Sequence, residues 1–150
     1  MRFIDVNDFF CEMLGYSRQE LMGMTWPEFT HPEDLDTDLA NYTQLLDGKI
    51  NRLFRIKRHL SKDGSVIWVK LSVSPISNED GSIKSLVVFV QDMSDEKRLE
   101  QALEDSLAFL ERLLEAVPNP IWVKNTEGIF LTCNKAFEDY IGLPRDHIVW

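Results

Sequence analysis

Cysteine is scarce in this chain: Cys11 and Cys133 are the only two among 150 residues, too few for the disulfide framework of a small secreted domain. Positive charge is also short, with 16 basic against 25 acidic side chains and a net charge of −9. Partners that present phosphates need clustered Lys and Arg, so nucleic acid and anionic membrane surfaces are not expected partners. No apolar run reaches the roughly 18–20 residues of a membrane span, and no basic-then-apolar leader opens the chain. The expected setting is reducing and cytoplasmic, without membrane insertion. Histidine is rare too: His31, His59 and His147 lie far apart, none at metal-ligand spacing with a cysteine. Nucleophile elbow, phosphate loop and haem-attachment Cys-x-x-Cys-His are all missing, and the carboxylates fall mostly on polar helix faces. Neither catalytic residues nor a metal site are expected, and the chain reads as a non-enzyme.

Apolar material is plentiful. With 44% hydrophobic and 11% aromatic residues the chain can bury a core of one domain, or of one domain and part of a second. An internal repeat favours the latter. Laying Phe3–Leu21 over Phe130–Ile148 pairs Phe3 with Phe130, Asn7 with Asn134, Phe10 with Phe137, Gly15 with Gly142 and Arg18 with Arg145. Asn7 and Asn134 each end an apolar strand-like run and suit the N-cap of a following helix. Gly15 and Gly142 stand where a left-handed residue would stop that helix. Phe10, Met13 and Leu14 in one copy, and Phe137, Tyr140 and Ile141 in the other, keep the spacing of one buried face.

Between the copies the pattern changes from helical to strand-like. A strand at about 2–6 precedes a helix at about 8–14, a helical turn over Ser17–Met24, a stretch punctuated by Trp26-Pro27 and His31-Pro32, and a helix at about 37–47. Three strands at about 52–60, 65–74 and 82–91 are separated by Lys62-Asp63-Gly64 and Asn78-Glu79-Asp80-Gly81, the turn chemistry of a hairpin meander. Ile67, Val69, Leu71 and Val73 make one apolar face of the middle strand. Leu86–Val90 is apolar on both faces and asks for two covering layers. From Asp95 to Val117 there is no Gly and no Pro; Leu99, Leu103, Leu110, Leu113 and Val117 follow a four-three spacing through Ser106 that Leu107 and Leu114 widen. That is a coiled-coil seam of about three heptads, or an amphipathic helix lying on its own sheet.

This order of elements resembles the PAS domain, the sensory fold of bacterial signalling proteins. The resemblance is carried by Asn7–Gly15 with Tyr16-Ser17, Glu20-Leu21, His31-Pro32-Glu33-Asp34, Lys62-Asp63-Gly64-Ser65, Ile67-Trp68-Val69, Ser74-Pro75, Asp80-Gly81 and Asp92-Met93-Ser94-Asp95-Glu96-Lys97. The second copy resembles the start of the same domain, with Ile121–Lys124 and Ile129–Cys133 as strands around the turn Asn125–Gly128. The resemblance implies an α+β fold: a PAS-like antiparallel five-stranded sheet with short helices on one face, followed by a long amphipathic helix. The expected organisation is a PAS sensor domain at 1–94, a signalling helix at 95–117, and the N-terminal part of a second PAS domain at 118–150. One departure is that relatives often carry a Glu two residues before an Arg on the first meander strand, where Ile56 precedes Arg58.

The family's closing Asp-Ile-Thr-Glu reads Asp92-Met93-Ser94-Asp95 here, a joint between sheet and output helix in which Ser94 suits the N-cap and Asp92 and Ser94 would relay the signal. The blue-light flavin branch needs a reactive Cys in the short helix beyond residue 26 and a Gln where Val90 stands; the oxygen-sensing haem branch needs a His within 38–48. Neither is present, so flavin and haem are disfavoured and no cofactor is predicted. Phe29, Leu45, Val69, Leu71, Val88 and Val90, with His59 as a polar contact, are the candidate lining of an apolar pocket for an unknown small ligand, or packed core. Apolar alternation turns Phe54 and Ile56 inward, whereas the resemblance turns His59 inward; only one register holds.

The resulting expectation is a sensory and relay module of a histidine kinase or diguanylate cyclase, sensing through that pocket or by dimer packing, with a C-terminal output domain. The alternative is a ligand-free PAS dimerisation or spacer module. Homodimerisation is expected through Leu103, Leu110 and Leu113. Residues 1–94 lack what the resemblance makes the first, central strand, so the last meander strand would have a bare edge. Pro120–Lys124, from the same chain or a strand-swapped partner, is the expected filler.

Overall fold

The computed structural model describes residues 2–149; Met1 and Trp150, the outer ends of the two expected modules, lie outside them. The chain divides into two compact units, one up to Arg98 and one from Leu99 onward.

In the first unit, α1 (Asp8–Leu14) and α2 (Arg18–Gly23) form where the sequence supplies caps. Asn7 accepts from the Phe10 N–H and Gly15 closes α1 at φ 73°, while Ser17 and Glu20 make a reciprocal capping box for α2. A 3-10 turn at Trp26–Phe29 leads to α3 (Pro32–Leu46). Helix α3 begins about five residues earlier than its apolar periodicity suggests, because Pro32 fits the first turn and His31 caps it by accepting from the Glu33 N–H. The sheet follows as an antiparallel meander, β1 (Leu53–Leu60), β2 (Val66–Ser77) and β3 (Ile83–Asp92), in spatial order β1-β2-β3.

Three of the five expected strands are therefore assembled in this sheet. Residues 2–6 form no strand, with a bend at Ile4, and β3 is an edge of the sheet. Trp122–Lys124 does not fill that edge within the chain; it pairs with Phe130–Cys133 in a separate two-stranded sheet. The reason is general: an extended apolar segment becomes a strand only when a partner supplies the other half of its hydrogen bonds.

Two apolar clusters hold the first unit. Val6, Leu14, Leu21 and Phe29 are buried beneath α1 and α2, with Phe3 and Phe10 against them. Leu45 of α3 packs on Val69, Leu71 and Val73, the inward face of β2 expected from sequence. The first meander strand does not follow its apolar alternation: Phe54 and Ile56 are 62% and 49% exposed, while Lys57 and His59 are only 5% and 3% exposed. The inward register belongs to His59. It is held by charge, since the Lys57 ammonium lies 2.5 Å from the Asp38 carboxylate of α3 and Arg55 Nε lies 3.2 Å from the same group. Lys57 also donates to Thr30 Oγ1 at 3.1 Å and its ammonium lies 5.0 Å from the Trp26 ring centroid.

In the second unit, the two-stranded sheet is β4 (Trp122–Lys124) and β5 (Phe130–Cys133), followed by α5 (Lys135–Ile141). The repeat holds in backbone detail. Asn134 caps α5 by accepting from Phe137 N–H at φ −93°, ψ 170°, against −84°, 164° at Asn7, and Gly142 closes it at φ 77°. Cys133, Phe137 and Ile148 form its core. Helix α4 (Ser94–Ala116) contributes to both units and has no buried residue.

Asp38→Ala should destabilise the first unit by about 3–5 kcal/mol in urea unfolding, because it strands the Lys57 charge in the core. Asp38→Leu combined with Lys57→Met should recover most of that loss; a double variant as unstable as the single one contradicts this account of the strand's register.

Candidate functional site

The seven candidate pocket residues do not line one enclosure. Phe29 belongs to the cluster beneath α1, where its ring stacks at 5.9 Å on Phe3 and meets His59 edge-on at 5.1 Å. Leu45, Val69 and Leu71 form the other cluster, against which Val90 is half-buried. Val88 departs from the expectation: it faces the same side as Val90 but is 48% exposed, since among the described residues no strand pairs with the outer edge of β3 to wall it in. Residues from one pattern thus divide between two packed clusters and an open edge. A separate surface depression lies between α1 and the β1–β2 hairpin, lined in part by Glu12, Met13, Gly15, Lys62, Ser65 and Ile67.

His59 is the chemically distinctive group here. Its imidazole is edge-on to both Phe29 and Phe10, its Nδ1 is buried without a hydrogen-bond partner, and its backbone bridges Thr30. Burial, reinforced by the neighbouring Lys57 ammonium, lowers its pKa from 6.5 to about 3, so the ring is neutral at physiological pH. Burial also lowers the Lys57 pKa, against the opposing pull of Asp38. Thr30, Asp38, Lys57 and His59 form a buried polar seam beside the apolar clusters. Sequence reasoning found His59 but missed the other three. The available signal was the run Arg55, Lys57, His59 on one face of β1, opposite Asp34 and Asp38 one turn apart on α3.

The outward neighbour Arg58 is clamped by Asp34. Its backbone N–H and its Nε donate to Oδ2 at 2.8 and 3.0 Å, and its Nη2 donates to Oδ1 at 2.8 Å. The guanidinium is the main reason the Asp34 carboxyl sits at about 2. The partner of this Arg thus comes from His31-Pro32-Glu33-Asp34 rather than from the position of Ile56.

At the sheet's exit, β3 runs into α4 with one intervening residue. Helix α4 starts at Ser94 itself, so capping falls to Asp92, whose Oδ1 accepts from Ser94 N–H at 2.8 Å. Met93 N–H donates to Trp68 O of β2 at 2.8 Å, and the Lys97 ammonium lies 5.4 Å from the Trp68 ring centroid. The two expected relay residues therefore lie at a tight junction, tied to both β2 and β3. Leu103, Leu110 and Leu113 are 62%, 52% and 48% exposed along α4. Among the described residues no group of three or more His, Cys, Asp or Glu is placed to hold a metal ion, and no helix is long and apolar enough to cross a membrane.

Family comparison matches this geometry twice. The profile of the PAS fold matches residues 3–90, and a second PAS-fold profile matches residues 108–149. The chain belongs to the PAS fold family. Among curated proteins it is similar to the probable diguanylate cyclase DgcE of Escherichia coli, 32% identical over 93% of this chain and 13% of that protein. It is also similar to the virulence sensor protein BvgS of Bordetella pertussis, 38% identical over 43% of this chain and 5% of that protein. The chain thus spans a small fraction of the curated relatives it matches. Among solved structures, the sensory box histidine kinase/response regulator of Burkholderia thailandensis aligns with a TM-score of 0.55 at 25% identity, over 71% of this chain and 79% of that one. The N-terminal domain of a diguanylate cyclase with PAS/PAC sensor from Marinobacter aquaeolei aligns at 0.59, with 21% identity over 65% and 89%.

The folded state disfavours the protonated ring of His59, so below pH 6.5 the unfolded chain binds more protons than the folded one. Stability should fall as pH drops from about 6.5 to 4.5, at up to roughly 1.4 kcal/mol per pH unit. The carboxylates with lowered pKa values, Asp34 among them, add their loss only at lower pH, as they protonate. His59→Leu should flatten the slope between pH 6.5 and 4.5 in denaturant titrations; an unchanged slope contradicts the assignment.

Proposed function

We propose that this chain is a sensory and signal-relay module of a bacterial multidomain signalling protein of the histidine kinase or diguanylate cyclase type. It works in the cytoplasm and passes changes in packing to an output domain C-terminal to it. The observation that carries the reading is the slack-free junction of β3 with α4. Asp92 takes the first helical N–H and Met93 is bonded to β2, so a shift of either strand must reorient the first turn of α4. The functions named for the E. coli and B. pertussis relatives, cyclase and sensor, support the same reading. The module itself performs no chemistry: its buried titratable groups neutralise one another or are held uncharged.

Packing between copies is the proposed input. Leu103, Leu110 and Leu113 present an apolar stripe with acidic flanks, which suits a homodimeric seam and not an anionic membrane. A ligand would shift the equilibrium only by binding two packings unequally. The specific observation favouring a ligand is the unpartnered Nδ1 of His59, which a small polar donor would satisfy; the alternative, a ligand-free dimerisation and spacer module, draws on the packed state of Phe29, Leu45, Val69 and Leu71.

Two measurements test the proposal. Leu110→Glu puts a charge into the seam and should convert dimer to monomer in sedimentation, at a cost of several kcal/mol, on the order of 3 or more, in dimer stability; an unchanged dimer defeats pairing through α4. Protein purified natively should be colourless, because the flavin and haem positions do not match. A visible absorption band that survives dialysis contradicts that, and a small molecule seen by native mass spectrometry moves the input from packing to ligand.

A further inference from the structure

Asn134 has two roles that its counterpart Asn7 does not combine. Both asparagines cap a short helix with the side-chain oxygen, on Phe137 N–H and Phe10 N–H respectively. Asn7 does so while exposed, so this cap needs no burial. Asn134 is only 1% exposed. Its amide nitrogen faces three backbone carbonyls of the preceding segment, Leu114 O at 3.1 Å, Val117 O at 3.1 Å and Asn119 O at 2.9 Å. Its Oδ1 accepts a second bond, from Ile121 N–H at 2.9 Å, and its own N–H donates to Ile121 O at 3.0 Å. An amide has only two N–H donors, so the three carbonyls converge on a saturated donor.

Leu114 lies in the last turn of α4, where carbonyls lack their usual i+4 partners, and its oxygen also accepts from Val117 N–H at 3.3 Å. One buried side chain therefore terminates α4 and initiates α5. A second contact lies beside it: Glu115, also in the last turn of α4, accepts from Lys135 N–H at 2.8 Å and pairs with Arg145, which also reaches Glu138 at 3.3 Å. Those bonds hold the Glu115 carboxyl below the usual carboxylate range.

We infer that Asn134, with Glu115, is a clasp that makes the end of α4 and the second module a single body, so that rotation of α4 is delivered to α5 rather than lost in the Val117–Pro120 connection. Asn134 is a positioning residue in this role. The clasp sets the rigidity of one joint, whatever signal α4 carries and whether or not the chain dimerises, and its role in delivering rotation rests on the relay proposed above.

Capping and clasping are separable by substitution. Asp and Ser keep an oxygen for Phe137 N–H and are N-caps as good as Asn, but Asp sets a carboxylate against the three carbonyls and Ser is too short to reach them. The full chain carrying Cys11→Ser, Ala108→Cys on α4 and Tyr140→Cys on α5 would be spin-labelled, diluted with unlabelled protein, and its interspin distance distribution measured. Asn134→Asp and Asn134→Ser should each widen that distribution at least two-fold, while exchange protection of the Phe137 amide persists. Glu115→Ala, which leaves the bond from Phe137 N–H to Asn134 in place while removing the acceptor of Lys135 N–H, should widen it as well. An unchanged width in the Asn134 variants overturns the clasp. Should both lose Phe137 protection, Glu115→Ala decides, and an unchanged width there overturns it equally.

Discussion

The contact between Asp38 and Lys57 fixes more of this structure than any apolar contact does. Without it, β1 would have reason to turn over, because burying Phe54 and Ile56 would gain about 1.5–3 kcal/mol each. A one-residue slip would deliver that gain and send Arg55, Lys57 and His59 to solvent. Oppositely charged groups on α3 prevent it. Asp38 pairs with Lys57 and Arg55 on the inward face, and Asp34 holds Arg58 by its backbone and its guanidinium on the other. A slip would break both sets at once and leave two carboxylates facing apolar side chains. The buried pair need not add much net stability, since desolvation consumes most of the Coulombic gain. It selects one register among two that hydrophobicity alone would rank the other way.

Other features depend on that choice. With Lys57 and His59 inward, the polar seam runs next to Phe29 and Phe10, and the His59 ring sits in an aromatic setting where only its neutral form is comfortable. With Phe54 and Ile56 outward, the far face of the sheet carries Phe54, Ile56, Val87 and Phe89, all about half exposed or more. Ser72 lies opposite both Phe54 and Phe89 across the three strands, so the two exposed aromatic rings flank a polar central strand on this face. The core of the unit is thus partly ionic, and its outside is more apolar than a solvated sheet face usually is.

How much of this was readable depended on whether the information was local. Caps and turns were: Asn7, Asn134, Ser17, Gly15 and Gly142 each cap or close the adjacent helix through bonds within four residues, whereas the bonds of Asn134 to residues 114–121 were not legible. The inward face of β2 was also legible, because Val69, Leu71 and Val73 alternate cleanly. Residues 2–6 form no strand despite their apolar pattern, since such a sequence states a capacity for pairing and not the presence of a partner. Val88 failed for the same reason at the open edge of β3. The register of β1 was undecidable from its own residues, because the carboxylates that decide it sit 17 or more positions earlier, on α3. At the joint between β3 and α4, the capping expected of Ser94 falls to Asp92, the side chain two residues before it.

The two ends of α4 are held by the same kind of device, and this bears on how a module without chemistry carries information. At the first turn an aspartate from the end of β3 accepts a helical N–H; at the last turn an asparagine from the end of β5 donates toward a helical carbonyl. Both side chains emerge from strand ends, where the sheet fixes the Cα position and leaves few rotamers. Each neutralises the end of the helix dipole it meets, the carboxylate at the positive end and the amide hydrogens at the negative end. Helix termini fray first, because their backbone groups lack partners. Pinning both ends removes the cheapest way for α4 to absorb a disturbance. What then remains is rotation or translation of the helix as a whole, and its exposed leucine stripe, which a register-dependent partner would read, moves with it.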